Sequence, residues 1–185
     1  MTTRTAILLL LLFITSPANA EVKEEKASAQ TAGIELDVFP YATGGYYGSA
    51  WYGEDRLRIR GIIAQVNTPS FLLEKGFKDN RITAYAAVLD YFVDEGFKGW
   101  WFGGGAEYWD SSIAHDEERP TARYSNVVAT AGCGYVWELS RNLYLNPWVA
   151  GHLMVGGERT VTVGTRSYDP PRFVPELSIK VGWKF

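Results

Sequence analysis

Apolar and polar residues alternate along most of the chain, and the last twelve residues show it most clearly. From Val174 to Phe185, Pro175, Leu177, Ile179, Val181, Trp183 and Phe185 share one face. Glu176, Ser178, Lys180, Gly182 and Lys184 share the other. A period of two with chemically different faces predicts a β-strand between two environments. The strand stops on a bare Phe. An edge strand with such a face in water would invite aggregation, whereas lipid on that face and strands on both edges remove the problem.

The same rhythm predicts seven strands upstream. Gly33 to Tyr41 places Ile34, Leu36 and Val38 against Glu35 and Asp37. Tyr46 to Tyr52 returns after the turn Thr43-Gly44-Gly45. Arg56 to Val66 alternates Leu57 and Ile59 with three arginines, and its phase blurs at Ile62-Ile63, which predicts a bulge. Arg81 to Val93, Gly99 to Trp109, Arg123 to Trp137 and Leu143 to Val155 follow. Pro147 predicts a second bulge, since a closed sheet has no free edge for a proline. Connections near 53–55, 94–98 and 138–142 are short, and those at 67–80, 111–122 and 156–173 are long. Thr160 to Val163 reads as an extension of the seventh strand. The expected fold is all-β, an antiparallel up-and-down transmembrane β-barrel of eight strands.

Charge decides which face turns inward. Arg58 and Arg60 cannot face lipid, where each would cost about 2–4 kcal/mol at mid-depth. The lumen is therefore expected to hold Glu35, Asp37, Arg58, Arg60, Asp90, Glu107, Glu176 and Lys180, with Tyr144 and Trp148 adding bulk. Buried charges need partners, so these eight should form an ionic network that plugs a narrow barrel. Aromatics gather beside the short turns: Trp51, Tyr52, Tyr91, Trp100, Tyr135, Trp137, Trp183 and Phe185. An interfacial girdle belongs there.

Residues 1–20 read as a secretory leader, with Arg4, an apolar run from Ala6 to Ile14, and Ala18-Asn19-Ala20 for cleavage. Residues 21–32 read as a polar, flexible periplasmic lead, and 33–185 as the barrel. No later run of apolar residues is long enough for a spanning helix. Seven Trp, eleven Tyr, nine Phe and nineteen Gly suit a membrane barrel or a secreted all-β protein. Cys133 is the only cysteine, so no internal disulfide exists. The net charge of −3 gives no reason to expect nucleic acid as a partner.

The ending resembles the closing strand of bacterial outer-membrane β-barrels through Leu177, Ile179, Val181, Trp183 and Phe185. In that family the terminal Phe and the alternating apolar residues form the signal read by the barrel-assembly machinery. The resemblance, to the small OmpA/OmpX/OmpW-like type, implies a Gram-negative outer membrane, contact with its lipid and lipopolysaccharide, and a monomer.

Three functions fit. The first is a non-enzymatic envelope protein, structural or surface-interacting. The second is a narrow, porin-like channel for small solutes. The third is a lipid A-modifying acyl hydrolase or acyltransferase, a type that small outer-membrane barrels include. His115, His152, Glu107, Asp110 and Ser167 could supply a triad for it. No G-x-S-x-G is present. His115-Asp116-Glu117-Glu118 reads as a solvated acidic loop, so no metal is expected. Gly103-Gly104-Gly105 and Gly156-Gly157 precede no helix and imply no phosphate site or cofactor.

Overall fold

The computed structural model describes residues 30–115 and 121–185. The leader lies outside them, as does most of the acidic loop. Eight strands close into a ring: β1 (Gln30–Asp37), β2 (Tyr46–Glu54), β3 (Leu57–Asn67), β4 (Phe77–Phe92), β5 (Gly99–His115), β6 (Thr121–Glu138), β7 (Leu143–Gly157) and β10 (Phe173–Lys184). Every neighbour is antiparallel, and β1 pairs with β10 to close the sheet. Two short strands, β8 (Val161–Val163) and β9 (Arg166–Tyr168), form a separate hairpin in the last long connection. Thr160 to Val163 therefore does not extend β7.

The alternation becomes an inside and an outside. Ile34, Leu36, Ile59, Leu89, Phe102 and Leu153 point outward and are 47–56% exposed. In water so much exposed apolar surface would be a liability; in lipid it is the ordinary surface of a barrel. The outward face turns polar at Gln65, Thr83, Asp110 and Ser125, just beyond Ile63, Tyr85, Tyr108 and Val127. That switch ends the lipid-facing band on β3 to β6. Of the expected girdle, Tyr52, Tyr91, Trp100, Tyr135, Trp137, Trp183 and Phe185 face outward, 40–73% exposed. Trp51 does not: it points into the lumen, 4% exposed.

Several boundaries differ from the sequence reading. Gln30 to Ala32, read as lead, belong to β1. β1 ends at Asp37, whose carboxylate accepts from the Phe39 amide at 3.0 Å and caps the one-turn helix α1 (Val38–Ala42). Phe77 to Asn80, read as loop, belong to β4; Ser111 to His115 extend β5, and Thr121 and Ala122 begin β6. No bulge occurs at Ile62-Ile63, where the register of β3 with both neighbours is unbroken. Ile62 keeps the inward phase and packs near Tyr47, Ala64 and Ala84. Pro147 causes no bulge either. Its register with β10 is continuous, and the β6 ladder merely skips its rungs between Trp148 and Leu145. The register shifts instead at Lys78/Arg81 and at Val127/Val128.

The wall is uneven. β1, β2 and β3 have 8, 9 and 11 residues, whereas β4, β5 and β6 have 16, 17 and 18. β1 pairs with β10 only from Gly33↔Lys184 to Asp37↔Lys180, so among the described residues Phe173 to Ile179 have no strand partner on that side. The Lys184 amide donates toward the β7 side and the Phe185 amide toward β1. Odd positions of β10 thus aim their amides at β1, and Pro175, which has none, sits where β10 is unpaired.

Candidate functional site

The lumen is filled in layers. At the end bearing the short turns, Phe97 folds back from the β4–β5 turn with a backbone φ of 56° and is 3% exposed. Its ring lies 5.4 Å from those of Trp51 and Phe92. A Cβ on Gly53 would stand 2.4 Å from the Phe97 ring, so only glycine fits there. This aromatic floor was not legible as such, since a Phe between charged turn residues reads as a loop position.

Above it lies an ionic quartet. Arg58 and Asp90 oppose each other in the β3–β4 ladder. Arg58 Nε donates to Asp90 Oδ2 at 2.8 Å and Nη1 to Glu35 Oε1 at 3.1 Å. Arg60 Nη2 donates to Asp90 Oδ1 at 2.9 Å, and its Nη1 is 3.5 Å from Glu35 Oε2. Glu35 also accepts from Tyr144 Oη and Asn146 Nδ2, each at 3.0 Å. Trp101 Nε1 donates to Asn146 Oδ1 at 2.9 Å. Two cations and two carboxylates leave no net charge, and aromatic rings cover the guanidinium faces. Arg58 Cζ is 4.9 Å from the Phe92 centroid, and Arg60 Cζ is 4.8 Å from that of Trp101. Such cation–π contacts strengthen when desolvated.

The third layer centres on Lys180, whose Nζ lies 3.7 Å from the Trp148 centroid. It donates to Ser178 Oγ at 3.3 Å, and Ser178 in turn donates to Asp37. Glu176 Oε1 is 4.0 Å from Lys180 and accepts from Trp148 Nε1 at 2.9 Å. The fourth layer is His152 between two carboxylates: Nε2 is 2.8 Å from Glu176 Oε2 and Nδ1 is 3.1 Å from Glu107 Oε1. Trp109 Nε1 donates to Glu107 Oε2 at 2.6 Å.

All eight residues of the expected network thus project into the lumen. Glu35, Arg58, Arg60 and Asp90 make one cluster, Asp37, Glu176 and Lys180 another, and His152, absent from the expected set, joins Glu107 to Glu176. The pairing depends on hairpin register and on contacts across non-adjacent strands, which alternation does not encode.

The catalytic constellation does not assemble. Both His152 nitrogens face carboxylates, Glu176 at 2.8 Å and Glu107 at 3.1 Å, rather than a hydroxyl. Asp110 lies on the outward face of β5, opposite Glu107, and Ser167 is exposed on β9. His115 is not in a loop. It ends β5, is 3% exposed, and packs edge-on to Phe77 at 6.2 Å. Cys133 is a partly buried free thiol on β6, between Phe102 and Val149.

The architecture is that of an eight-stranded outer-membrane-type β-barrel. The chain has the same fold as the N-terminal β-barrel domain of Pseudomonas aeruginosa OprF, with a TM-score of 0.60 and 13% identity over 85% of this chain and 99% of that one. Neisserial surface protein A (NspA) aligns with a TM-score of 0.53 and 15% identity, over 84% and 94% of the two chains. A major outer membrane protein from Thermus thermophilus gives 0.54 and 11%, over 86% and 100%. At such identities the likeness is one of fold. No protein-family model matches the sequence, and no curated protein matches it.

Proposed function

We propose that this chain is a non-enzymatic outer-membrane protein, a sealed barrel with a structural or surface-interacting role in the Gram-negative envelope. The observation that carries the reading is the closed cross-section of the lumen. Glu35, Arg58, Arg60, Asp90, Trp101, Asn146 and Lys180 come from six of the eight strands, and none exceeds 1% exposure. Water has no standing room beside any of them, which argues against the narrow-channel reading. The carboxylates that face both His152 nitrogens argue against the lipid A-modifying reading.

The outward apolar band, the leader-like pattern of residues 1–20 and the alternation of Leu177, Ile179, Val181, Trp183 and Phe185 support an outer-membrane location. They also support recognition by the barrel-assembly machinery through Leu177, Ile179, Val181, Trp183 and Phe185. Lipid and lipopolysaccharide are the expected surroundings of a monomer. The test is planar-bilayer recording of the refolded chain, after its band has been shown to shift on boiling in SDS. A folded barrel without discrete conductance steps is the expected result. Steps in the wild-type chain that change in Arg60→Ala would overturn the sealed-lumen reading in favour of a channel.

A further inference from the structure

We propose that the end of the lumen bearing the long connections is a binding site for a small amphipathic molecule, neutral or cationic, with an apolar body and an N–H or O–H donor. Beyond the His152 layer lies a vestibule of about 480 Å³, within the range of about 300–1,000 Å³ usual for small-molecule sites. Trp109, Tyr124 and Met154 line it from the tall wall; Leu73, Pro170 and Phe173 line it from other segments. Such a surface takes an apolar or aromatic body.

Asn126 supplies the polar requirement. It lines the vestibule from β6 and is 1% exposed. Its Nδ2 donates to the Glu158 carbonyl at 2.9 Å and faces Met154 Sδ at 3.4 Å. A backbone carbonyl only accepts, so the orientation of the side-chain amide is fixed. Its Oδ1 is left as an acceptor with no partner among the described residues. A buried carbonyl oxygen without a donor is costly. Because the side chain is covered, a ligand N–H or O–H would relieve that cost only by displacing the flexible Met154 side chain that packs on the amide.

Charge narrows the class further. Among the described residues, the ionisable carboxylates lining the vestibule are Glu74 and Asp169, and no Lys or Arg lines it. Glu107 and Glu176 stand beneath, with His152 between them. An anionic ligand would meet like charge there, and a cation would not. The route in lies over the low side. The lining draws on β4 to β7, β9, β10 and their loops but on neither β1 nor β2. There α1 presents Val38, Phe39 and Tyr41, each about half exposed.

The site needs the folded barrel but no particular cellular role, so the two readings fail separately. The test uses the barrel in phospholipid nanodiscs, titrated with indole, 1-methylindole, tryptamine and indole-3-acetate. Ligand binding is followed by saturation-transfer NMR against empty nanodiscs. Indole and tryptamine should bind saturably. 1-Methylindole, which lacks the donor, and indole-3-acetate, which is an anion, should bind at least tenfold more weakly. Asn126→Leu should erase the difference between indole and 1-methylindole. Leu72→Trp adds bulk at a lining position that is 67% exposed, and should weaken every probe at least tenfold without loss of the heat-shifted band. A shifted band with no saturable binding above empty nanodiscs would overturn the vestibule proposal alone. So would equal affinity of the wild type for indole and 1-methylindole, or unchanged binding in Leu72→Trp. A wild-type chain with no shifted band would overturn the barrel reading itself.

Discussion

The lower lumen and the crown at the end bearing the long connections are cores of opposite chemistry on the same strands. Between the floor and the His152 layer, the deepest side chains include Arg58, Arg60, Lys180, Glu35 and Asp90. In the crown, Phe77, Ile113, Tyr124, Val161, Val163 and Tyr168 pack together in the usual way of a soluble protein. β5 and β6 run through both regions. The difference follows from what lies outside the wall. Where lipid covers the outer face, apolar residues are free to face out, and alternation sends the polar ones inward. Beyond Asp110 and Ser125 the outer face turns polar, and the inward positions Ile113 and Tyr124 become apolar again. The solvent outside a strand thus decides the chemistry of the core inside it.

The largest expected effect comes from breaking the charged core. In Asp90→Ala, Arg58 and Arg60 would share Glu35 alone, with no water to compensate. Removing one partner of a buried ion pair costs about 3–5 kcal/mol. The denaturant midpoint of the barrel in lipid vesicles should fall accordingly. A variant as stable as wild type would mean that the quartet contributes nothing beyond filling space. Phe97→Ala probes the apolar floor beneath the same core. It removes a buried ring that packs on Trp51 and Phe92, and should cost about 3 kcal/mol in the same assay.

The crown should fail differently. Val163 is fully buried and belongs to the β8–β9 hairpin, which is hydrogen-bonded as a sheet of its own. Val163→Asp places an unpaired charge in that small core. The expected outcome is faster proteolysis within residues 157–173, with the heat-shifted band retained. Loss of that band would show that crown and barrel unfold as one unit, and the contrast drawn above would not extend to stability.

How much of this was written in the linear pattern depends on the same contrast. The barrel wall was legible because lipid imposes a strict period of two, so the inward phase of Glu35, Arg58, Asp90 and Lys180 follows from their apolar neighbours. The apparent loss of phase at Ile62-Ile63 misled because an inward position in a polar lumen can still be apolar. Trp51 misled for the converse reason: beside Tyr52 it resembles a girdle residue, yet parity along β2 turns it inward. Phe97 was hidden because a turn has no periodicity to mark a side chain that folds back. The β8–β9 hairpin was hidden because strands of three residues are too short to show alternation. The partners of Arg58 and His152 depend on register and on contacts across the lumen, which no single strand records.

The smallest effect separates the crown from the lipid-embedded wall by pH. Glu158 follows β7 and is exposed; its carboxylate accepts from the Ser125 amide at 2.9 Å and lies 3.4 Å from Ser125 Oγ. The Ser125 amide, with a further backbone amide, holds the carboxyl below its ordinary value of 4.5. A depressed acid stabilises the fold above its unfolded value, and that contribution fades as the pH falls through the lower, folded one. The tie between β6 and the connection after β7 should therefore hold at neutral pH and loosen only in acid, below about pH 4.5. Hydrogen exchange of the Ser125 amide reports it directly: protection should drop on acidification in the wild type and be already low, and flat with pH, in Glu158→Ala, which has no acceptor. Equal protection in both chains would show that the strand ladder alone orders this stretch and that the crown owes nothing to Glu158.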